Sequence, residues 1–363
     1  MKKIKFLCLA VVAVLGLTAC SSDDNDAKEN IVSEYSLNDQ MVAQQKASSK
    51  KDTAILLVAF GSTWSNAFAA FDETKKAYEQ AFPNADVYVC FSSDICINRA
   101  EAGENGEKRN YYEPRYLLHA IGAAKYSTVY VQSLQVIPGE EFANVVACVK
   151  KFANNGYITG AHLDDEYLAN VKIYLGMPLL NDPEDGGDVD KVAAELNKLY
   201  KDEAAKGAVA FMGHGNPDSY DTFKANIRYT QLEEALQKYS KNYFVGTVDM
   251  PDNYKQDVLA RMQENGIASG AISLHALMSI AGDHAHNDMA GVGDEYWDAE
   301  EPESEDNSWF EFFNHNGYKA NAPEVNGNPQ GLLELAGIRQ IWINHTKAAE
   351  LLEDAYHSMY PEE

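Results

Sequence analysis

Three polar residues each follow a predicted strand and lie close to a glycine: Glu141, His214 and His284. Ligands of open parallel sheets bind beyond the carboxyl ends of the strands, which is where these residues fall. Two neutral imidazoles and one carboxylate suit a divalent first-row metal ion and leave positions open for water or a nitrogen donor. The spacing therefore predicts a metal site, and the alternative is that the three are ordinary polar loop residues.

The segment around His284 carries further polar groups. Asp283, His286 and Asp288 flank it, and we expect them to orient the His284 ring or to accept its proton. For His286 a solvated loop position is an equal alternative. We interpret the acidic run at residues 294–306 as a solvated loop, because most charge runs are.

Several function classes are disfavoured by the sequence. No Gly-x-Gly-x-x-Gly fingerprint or Walker loop occurs, so we expect no nucleotide cofactor. The residues around Ser62 lack the pattern of a serine-hydrolase elbow. The net charge of -25 disfavours nucleic acid as a partner, because phosphate binding needs a basic face.

The elements that position these groups alternate between short apolar strands and amphipathic helices. Strands are predicted at residues 54–60, 87–91, 128–136, 171–176, 209–212, 243–247 and 271–280. Helices are predicted at residues 65–82, 114–124, 140–152, 229–239, 253–265, 309–315 and 332–352, with an acidic loop at 92–113. This alternation predicts an α/β fold with parallel sheets covered on both faces.

The two halves of the chain share short motifs. Residues 60–62 (FGS) match 212–214 (MGH), and residues 137–141 (IPGEE) match 280–284 (IAGDH). We interpret this as a duplication that gives two similar Rossmann-like lobes, residues 52–180 and 181–363, facing each other across a cleft. The alternative is chance, because strand-glycine-loop patterns are common in α/β units.

The amino terminus resembles a bacterial lipoprotein signal peptide over residues 1–19, with a basic start, an apolar run and small residues before a cysteine. Cys20 would then carry the lipid, and residues 20–51 would form a flexible tether. These features predict a protein that is lipid-anchored to a bacterial membrane and faces the periplasm or the cell surface. An uncleaved anchor helix is the alternative.

Three cysteines remain beyond Cys20, and their spacing matches neither a zinc ribbon nor a disulfide framework. Cys90 and Cys148 lie in apolar runs, so we expect them to be buried as small hydrophobic residues.

Five stretches of the chain resemble the sirohydrochlorin cobaltochelatases of anaerobic cobalamin biosynthesis. They are residues 56–62 (LLVAFGS), 131–142 (VQSLQVIPGEEF), 209–215 (VAFMGHG), 243–248 (YFVGTV) and 281–290 (AGDHAHNDMA). They follow the family's order from the first strand to the last helix, and the last stretch is the most specific. The family usually has His where this chain has Gln135, and Arg99 is the only cation among residues 92–99.

The resemblance implies a class II chelatase, in which two Rossmann-like lobes insert a divalent ion into a tetrapyrrole without ATP. It implies that His214, Glu141 and His284 form the metal site. Because two pyrrole protons must leave on insertion, we expect the histidines to be catalytic groups, with His284, backed by His286, as the candidate general base. Co²⁺ is the ion that the family uses, and Ni²⁺, Fe²⁺ or Zn²⁺ are alternatives.

The tetrapyrrole would lie against apolar and aromatic walls. Phe60, Trp64 and Phe91 are the candidates, with core packing as an equal alternative for each, and Arg99 is the candidate cation. Two other functions stay open at this point. One is a surface lipoprotein that captures haem and removes its iron, and the other is a metal-storage or metal-delivery protein. An oligomer is also possible.

Overall fold

Two mainly parallel β-sheets form the framework of the computed structural model, which describes residues 26–104, 106–154 and 162–352. The parallel strands of the first sheet are β1 (Thr53–Ala59), β2 (Ala85–Phe91), β3 (Thr128–Ser133) and β4 (Lys172–Gly176) in the order β2-β1-β3-β4, and a short antiparallel strand is added at the β4 edge. The second contains β5 (Ala208–Gly213), β6 (Tyr243–Thr247), β7 (Gly270–Ala276) and β8 (Tyr318–Asn321) in the order β6-β5-β7-β8. The shared order agrees with the predicted duplication, and the α/β fold class is confirmed.

Helices cover both faces of each sheet, which is why the central strands are apolar along their whole length. Six of the seven residues of β1 and all six of β5 are buried. The helices are α1 (Asp26–Ser49), α2 (Ser65–Ala81), α3 (Asp94–Ala102), α4 (Pro114–Ala123), α5 (Glu140–Ala153), α6 (Asp165–Leu168), α7 (Asp188–Ala204), α8 (Ile227–Gln237), α9 (Lys255–Glu264), α10 (Trp309–His315) and α11 (Ala336–Lys347).

Some elements differ from the sequence prediction. The predicted loop at residues 92–113 contains α3, which begins where the Ser93 hydroxyl accepts a hydrogen bond from the Cys96 backbone N–H. This helix is short and only Ala100 of it is buried, so its sequence shows little apolar periodicity. The helix α7 and the edge strand β8 were not predicted, and the predicted strands at 128–136 and 271–280 end earlier, at Ser133 and Ala276.

The prediction of a flexible tether over residues 20–51 is wrong for residues 26–49, because they form α1. The carboxyl-terminal part of α1 packs on the first lobe, where Val42 is fully buried. Gln45 Nε2 and Ser49 Oγ donate hydrogen bonds of 3.2 and 2.6 Å to the buried Asp86 carboxylate. Because polar residues make these contacts, the helix lacks the apolar periodicity that would have distinguished it from a spacer in the sequence.

The predicted signal peptide and Cys20 lie outside the described residues. Among the residues that are described, none belongs to a helix both long and apolar enough to cross a membrane. Cys90 is buried as predicted, whereas Cys148 is only partly buried.

The last helix does not stay within its own half of the chain. α11 packs against α2, β3 and β4 of the first lobe as well as against α7, and β9 (Glu350–Leu351) pairs antiparallel with β4. Thr346 Oγ1 donates a 2.7 Å hydrogen bond to Gln132 Oε1 in β3. The predicted helix over 332–352 begins at Ala336 and ends at Lys347 in the structure, and it contacts both lobes. The predicted boundary between the lobes stays a prediction.

Candidate metal centre

A cavity of about 400 Å³ lies between the lobes, at the carboxyl ends of β1, β3, β5 and β7. Glu141 reaches it from the first turn of α5, His214 from the residue after β5, and His284 from a single π-helical turn at His284–Met289. All three residues that the sequence singled out therefore line one cavity. Their roles as metal ligands stay a prediction.

The two imidazoles stand close together, with ring centroids 4.9 Å apart and ring planes at 82°. His214 Nδ1 lies 2.7 Å from the Gly215 carbonyl oxygen, and His284 Nδ1 lies 2.5 Å from Asp288 Oδ2. Both acceptors favour a proton on Nδ1, because neither oxygen can donate one in its carbonyl or carboxylate form. Nε2 of each ring is therefore left as the nitrogen that can bind an ion.

The turn after β5 depends on glycine. Gly215 has φ +77°, and a Cβ at this position would lie 2.8 Å from the Met250 backbone nitrogen. Only glycine accepts both this conformation and this close approach at no cost. The turn fixes the backbone beside His214, and the Asp249 N–H donates a 2.9 Å hydrogen bond to the His214 carbonyl oxygen.

The two rings have different protonation tendencies. Removal from water by the cleft walls, followed by the charge of His284, lowers the pKa of His214. Removal from water would also lower the pKa of His284, but the hydrogen bond with Asp288 and the charge of that carboxylate outweigh it and raise the pKa. His214 is thus the better neutral ligand, and His284 is the better proton acceptor.

Two carboxylates belong to this region, Glu141 on the cavity wall and Asp249 beside His214. Glu141 is half-buried and accepts a 3.4 Å hydrogen bond from Ser92 Oγ; removal from water raises its pKa. Asp249 Oδ2 lies 3.6 Å from His214 Nδ1. Within the described ranges, no three His, Cys, Asp or Glu side chains stand close enough to hold an ion by themselves.

Asp249 was missed in the sequence, although a signal was present. It lies two residues beyond β6, and β6 is the neighbour of β5 in the second sheet. The carboxyl ends of adjacent parallel strands meet at one edge, so a carboxylate there should approach His214.

The predicted partners of His284 divide into two groups. Asp288 contacts its ring, as expected. Asp283 and His286 instead face Trp64 of the first lobe: Trp64 Nε1 donates a 2.6 Å hydrogen bond to Asp283 Oδ1, and its ring stacks on His286 with centroids 3.7 Å apart. We call these two contacts the Trp64 bridge, which joins the lobes beside the His284 turn.

Comparison with known proteins places this geometry in a family. A sequence model described as cobalt chelatase (CbiK) matches residues 53–350. The chain belongs to the cobalt chelatase (CbiK) family. A sirohydrochlorin cobaltochelatase (CbiKC) of Nitratidesulfovibrio vulgaris is 27% identical over 307 residues, which cover 83% of this chain and 92% of that protein.

Further relatives agree with this assignment. The sirohydrochlorin cobaltochelatase of Salmonella typhimurium is 25% identical over 248 residues, covering 67% of this chelatase and 82% of that protein. The solved structure of SirB from Bacillus subtilis with Fe³⁺ has a TM-score of 0.51 at 13% identity, covering 85% of this chain and 98% of that one. The structural likeness supports the chelatase fold alone.

The residues predicted to grip the tetrapyrrole fall in different places. Phe60 lines the cavity of the chelatase and is 53% exposed, and Arg99 also lines it. Phe91 does not, because it is fully buried and stacks on Tyr111 with centroids 3.8 Å apart. Its assignment as a cavity wall is wrong, since the strand end that carries it turns the ring into the core.

The cavity wall includes an exposed apolar residue that was not singled out in the sequence. Ile95, which lies on α3, is 54% exposed and lines the cavity, as Phe60 does. Among the lining residues that the structure describes, Arg99 is the only lysine or arginine, and Asp283 and Glu104 lie 3.8 and 3.4 Å from its guanidinium. The described lining of the cleft therefore includes exposed apolar side chains and is poor in available positive charge.

Proposed function

We propose that this chelatase inserts Co²⁺ into sirohydrochlorin without a nucleotide. The family match and the two relatives named sirohydrochlorin cobaltochelatase support the activity. The observation that carries it is the pair of imidazoles at 4.9 Å, each with Nδ1 engaged, on the wall of a cavity between two lobes. The relatives favour insertion over the capture of haem.

The arrangement suggests how the substrate ion is held. His214 and His284 supply Nε2, and a carboxylate adds the negative charge that draws a dication into the cleft. Asp249 is adjacent to His214, while Glu141 stands on the opposite lobe. An ion held by three protein ligands would keep further positions for water and for the ring nitrogens of the macrocycle.

Insertion also requires two pyrrole N–H protons to leave. The pair His284 and Asp288 is the best acceptor in the cleft, because the carboxylate stabilises the imidazolium that forms. Once His284 is protonated on both nitrogens, it no longer binds the ion. Proton transfer and release of the metal to the ring are therefore coupled through one side chain.

Metallation of sirohydrochlorin tests the proposal directly. Purified protein, Co²⁺ and sirohydrochlorin are mixed without ATP, and the absorption change of the macrocycle is followed. We expect turnover by the wild type and a loss of at least about 100-fold for His214→Ala. His315→Ala, whose ring stacks on Trp297 instead of lining the cavity, is the control and should retain activity. Equal rates for His214→Ala and wild type would reject the role of His214.

We also propose that the enzyme is attached to a bacterial membrane through a lipid on Cys20. The support is the signal-like sequence of residues 1–19 and the cysteine that follows it. Mass spectrometry of the amino-terminal peptide from cell membranes should show a lipidated Cys20, and Cys20→Ala should move the protein to the soluble fraction. An unmodified cysteine in the membrane-bound protein would contradict the proposal.

A further inference from the structure

One amide on the cavity wall has hydrogen-bond donors that no described residue accepts. Gln135 lines the cavity just beyond β3 and is only 9% exposed. Across the described ranges its Nε2 has no hydrogen-bond partner. Buried donors without a partner are rare in proteins, so such a group on a cavity wall indicates that a ligand satisfies it.

The orientation of this amide is fixed by Ser133. The Ser133 hydroxyl accepts a 3.3 Å hydrogen bond from the Gln135 backbone N–H and contacts Gln135 Oε1. A hydroxyl has one hydrogen, and that hydrogen points to Oε1. Nε2 therefore faces away from Ser133 with both of its hydrogens unpaired.

A neighbouring glutamine shows what a purely structural amide looks like in this strand. Gln132 donates from Nε2 to the carbonyl oxygens of Ser133 and Met177 at 2.6 and 2.7 Å, and its Oε1 accepts from Thr346. It is fully buried and does not line the cavity. The open donors of Gln135 are thus a local feature and not a property of the whole strand end.

The charge of the cleft shows which ligand group needs such a donor. Sirohydrochlorin carries many carboxylates, whereas Arg99 is the one lysine or arginine among the described lining residues and has Glu104 and Asp283 beside it. A carboxylate in this cleft must therefore rely on neutral donors. An amide N–H offers one that stays uncharged and is little affected by salt.

We propose that Gln135 Nε2 donates a hydrogen bond to a carboxylate on an acid side chain of the tetrapyrrole, and that Gln135 is a specificity-determining residue. This rests on the proposed function, because it takes the macrocycle as the occupant of the cleft. Gln135 orients the macrocycle and takes no part in metal transfer. Its loss should change substrate binding and leave the chemical step intact.

The test compares Gln135→Met with Gln132→Met. Both replace an amide by an apolar side chain of similar length, but only the first amide faces the cavity. For Gln135→Met we expect KM and the metal-free Kd for sirohydrochlorin to rise about tenfold, with kcat within about twofold, because hydrogen bonds to charged groups are strong. Gln132→Met should lower the melting temperature and leave Kd unchanged.

Two further measurements sharpen the outcome. Gln135→Glu keeps the shape but replaces the donor by an acceptor, so it should weaken binding more than methionine does. Esterification of the acid side chains should shrink the Gln135→Met effect to about twofold, since the charge of the acceptor is removed. An equal effect on acid and ester would overturn the assignment of a carboxylate.

The metal-free titration separates this inference from the proposed function. If the wild type binds sirohydrochlorin but does not metallate it, the proposed function fails and the Gln135 comparison still stands. If Gln135→Met binds sirohydrochlorin as tightly as the wild type, the inference fails even in an active enzyme. If the wild type binds no sirohydrochlorin, both fail.

Discussion

The contact between His284 and Asp288 predicts how the substitution Asp288→Asn changes both the affinity for Co²⁺ and the pKa of His284. Asp288→Asn keeps an oxygen that can accept from Nδ1 but removes the negative charge. His284 becomes a weaker ligand, so affinity for Co²⁺ should fall at neutral pH. Because the same carboxylate raises the pKa of His284, the variant should also lose its ring proton at lower pH than the wild type.

The size of the affinity loss follows from the geometry. Mutation of a group that holds a metal-binding histidine costs about 10- to 100-fold in metal affinity. The short Nδ1–Oδ2 distance of 2.5 Å favours a large effect, but the side chains of His284 and Asp288 are 43% and 36% exposed. Water screens the carboxylate charge at such exposure, so we expect the affinity for Co²⁺ to fall about tenfold.

Titration calorimetry with Co²⁺ and the pH dependence of kcat/KM measure the two effects. Asp283→Asn is the matched control, because that carboxylate contacts Trp64 and Arg99 instead of the His284 ring. It should leave Co²⁺ affinity within about twofold. Unchanged affinity in Asp288→Asn, or an acid limb of the profile that moves to higher pH, would refute the role assigned to Asp288.

Three other outcomes can be checked. Phe91→Ala should lower the free energy of unfolding in urea by about 3–5 kcal/mol. Phe60→Ala should instead raise KM for sirohydrochlorin with little change in stability. The opposite pattern would place Phe60 in the core and Phe91 on the cavity wall. Burial lowers the pKa of Lys255 to about 8 from 10.5. Between these two pKa values the unfolded chain keeps a proton on Lys255 that the folded chain has lost. The free energy of unfolding of the wild type relative to Lys255→Met should therefore rise from pH 8 to pH 10.5, by about 3 kcal/mol. A flat difference would contradict the burial of a charged amine. Trp64→Phe keeps a ring on His286 but loses the hydrogen bond to Asp283, so Co²⁺ affinity should fall by about two- to fivefold while the melting temperature changes little; unchanged affinity would show that the Trp64 bridge does not hold the His284 turn.

The positions of Glu141, His214 and His284 on one cavity could be predicted from the sequence. All three follow strands, and the carboxyl ends of parallel strands meet at one edge. The loops that repeat between the halves also meet across the cleft, because both sheets have the same strand order. Predicting that these residues meet requires only the order of the strands and helices, and the hydrophobic pattern of the sequence predicts that order.

The contacts of individual side chains were harder to predict. Asp283, His286 and Asp288 all lie within four residues of His284, and only the π-helical turn determines that Asp288 meets the ring while the other two face Trp64. Phe91 ends a strand much as Phe60 follows one, yet one ring packs inward and the other outward. Spacing along the chain does not carry this directional information.

The way in which α11 and β9 complete the first lobe has a consequence for biosynthesis. Trp342 and Ile338 of α11 belong to the same buried cluster as Ile55 and Phe68. The part of the core that is synthesised first therefore needs residues that are synthesised last. The amino-terminal half emerging from a ribosome cannot finish its core, and it stays open until nearly the whole polypeptide has been made.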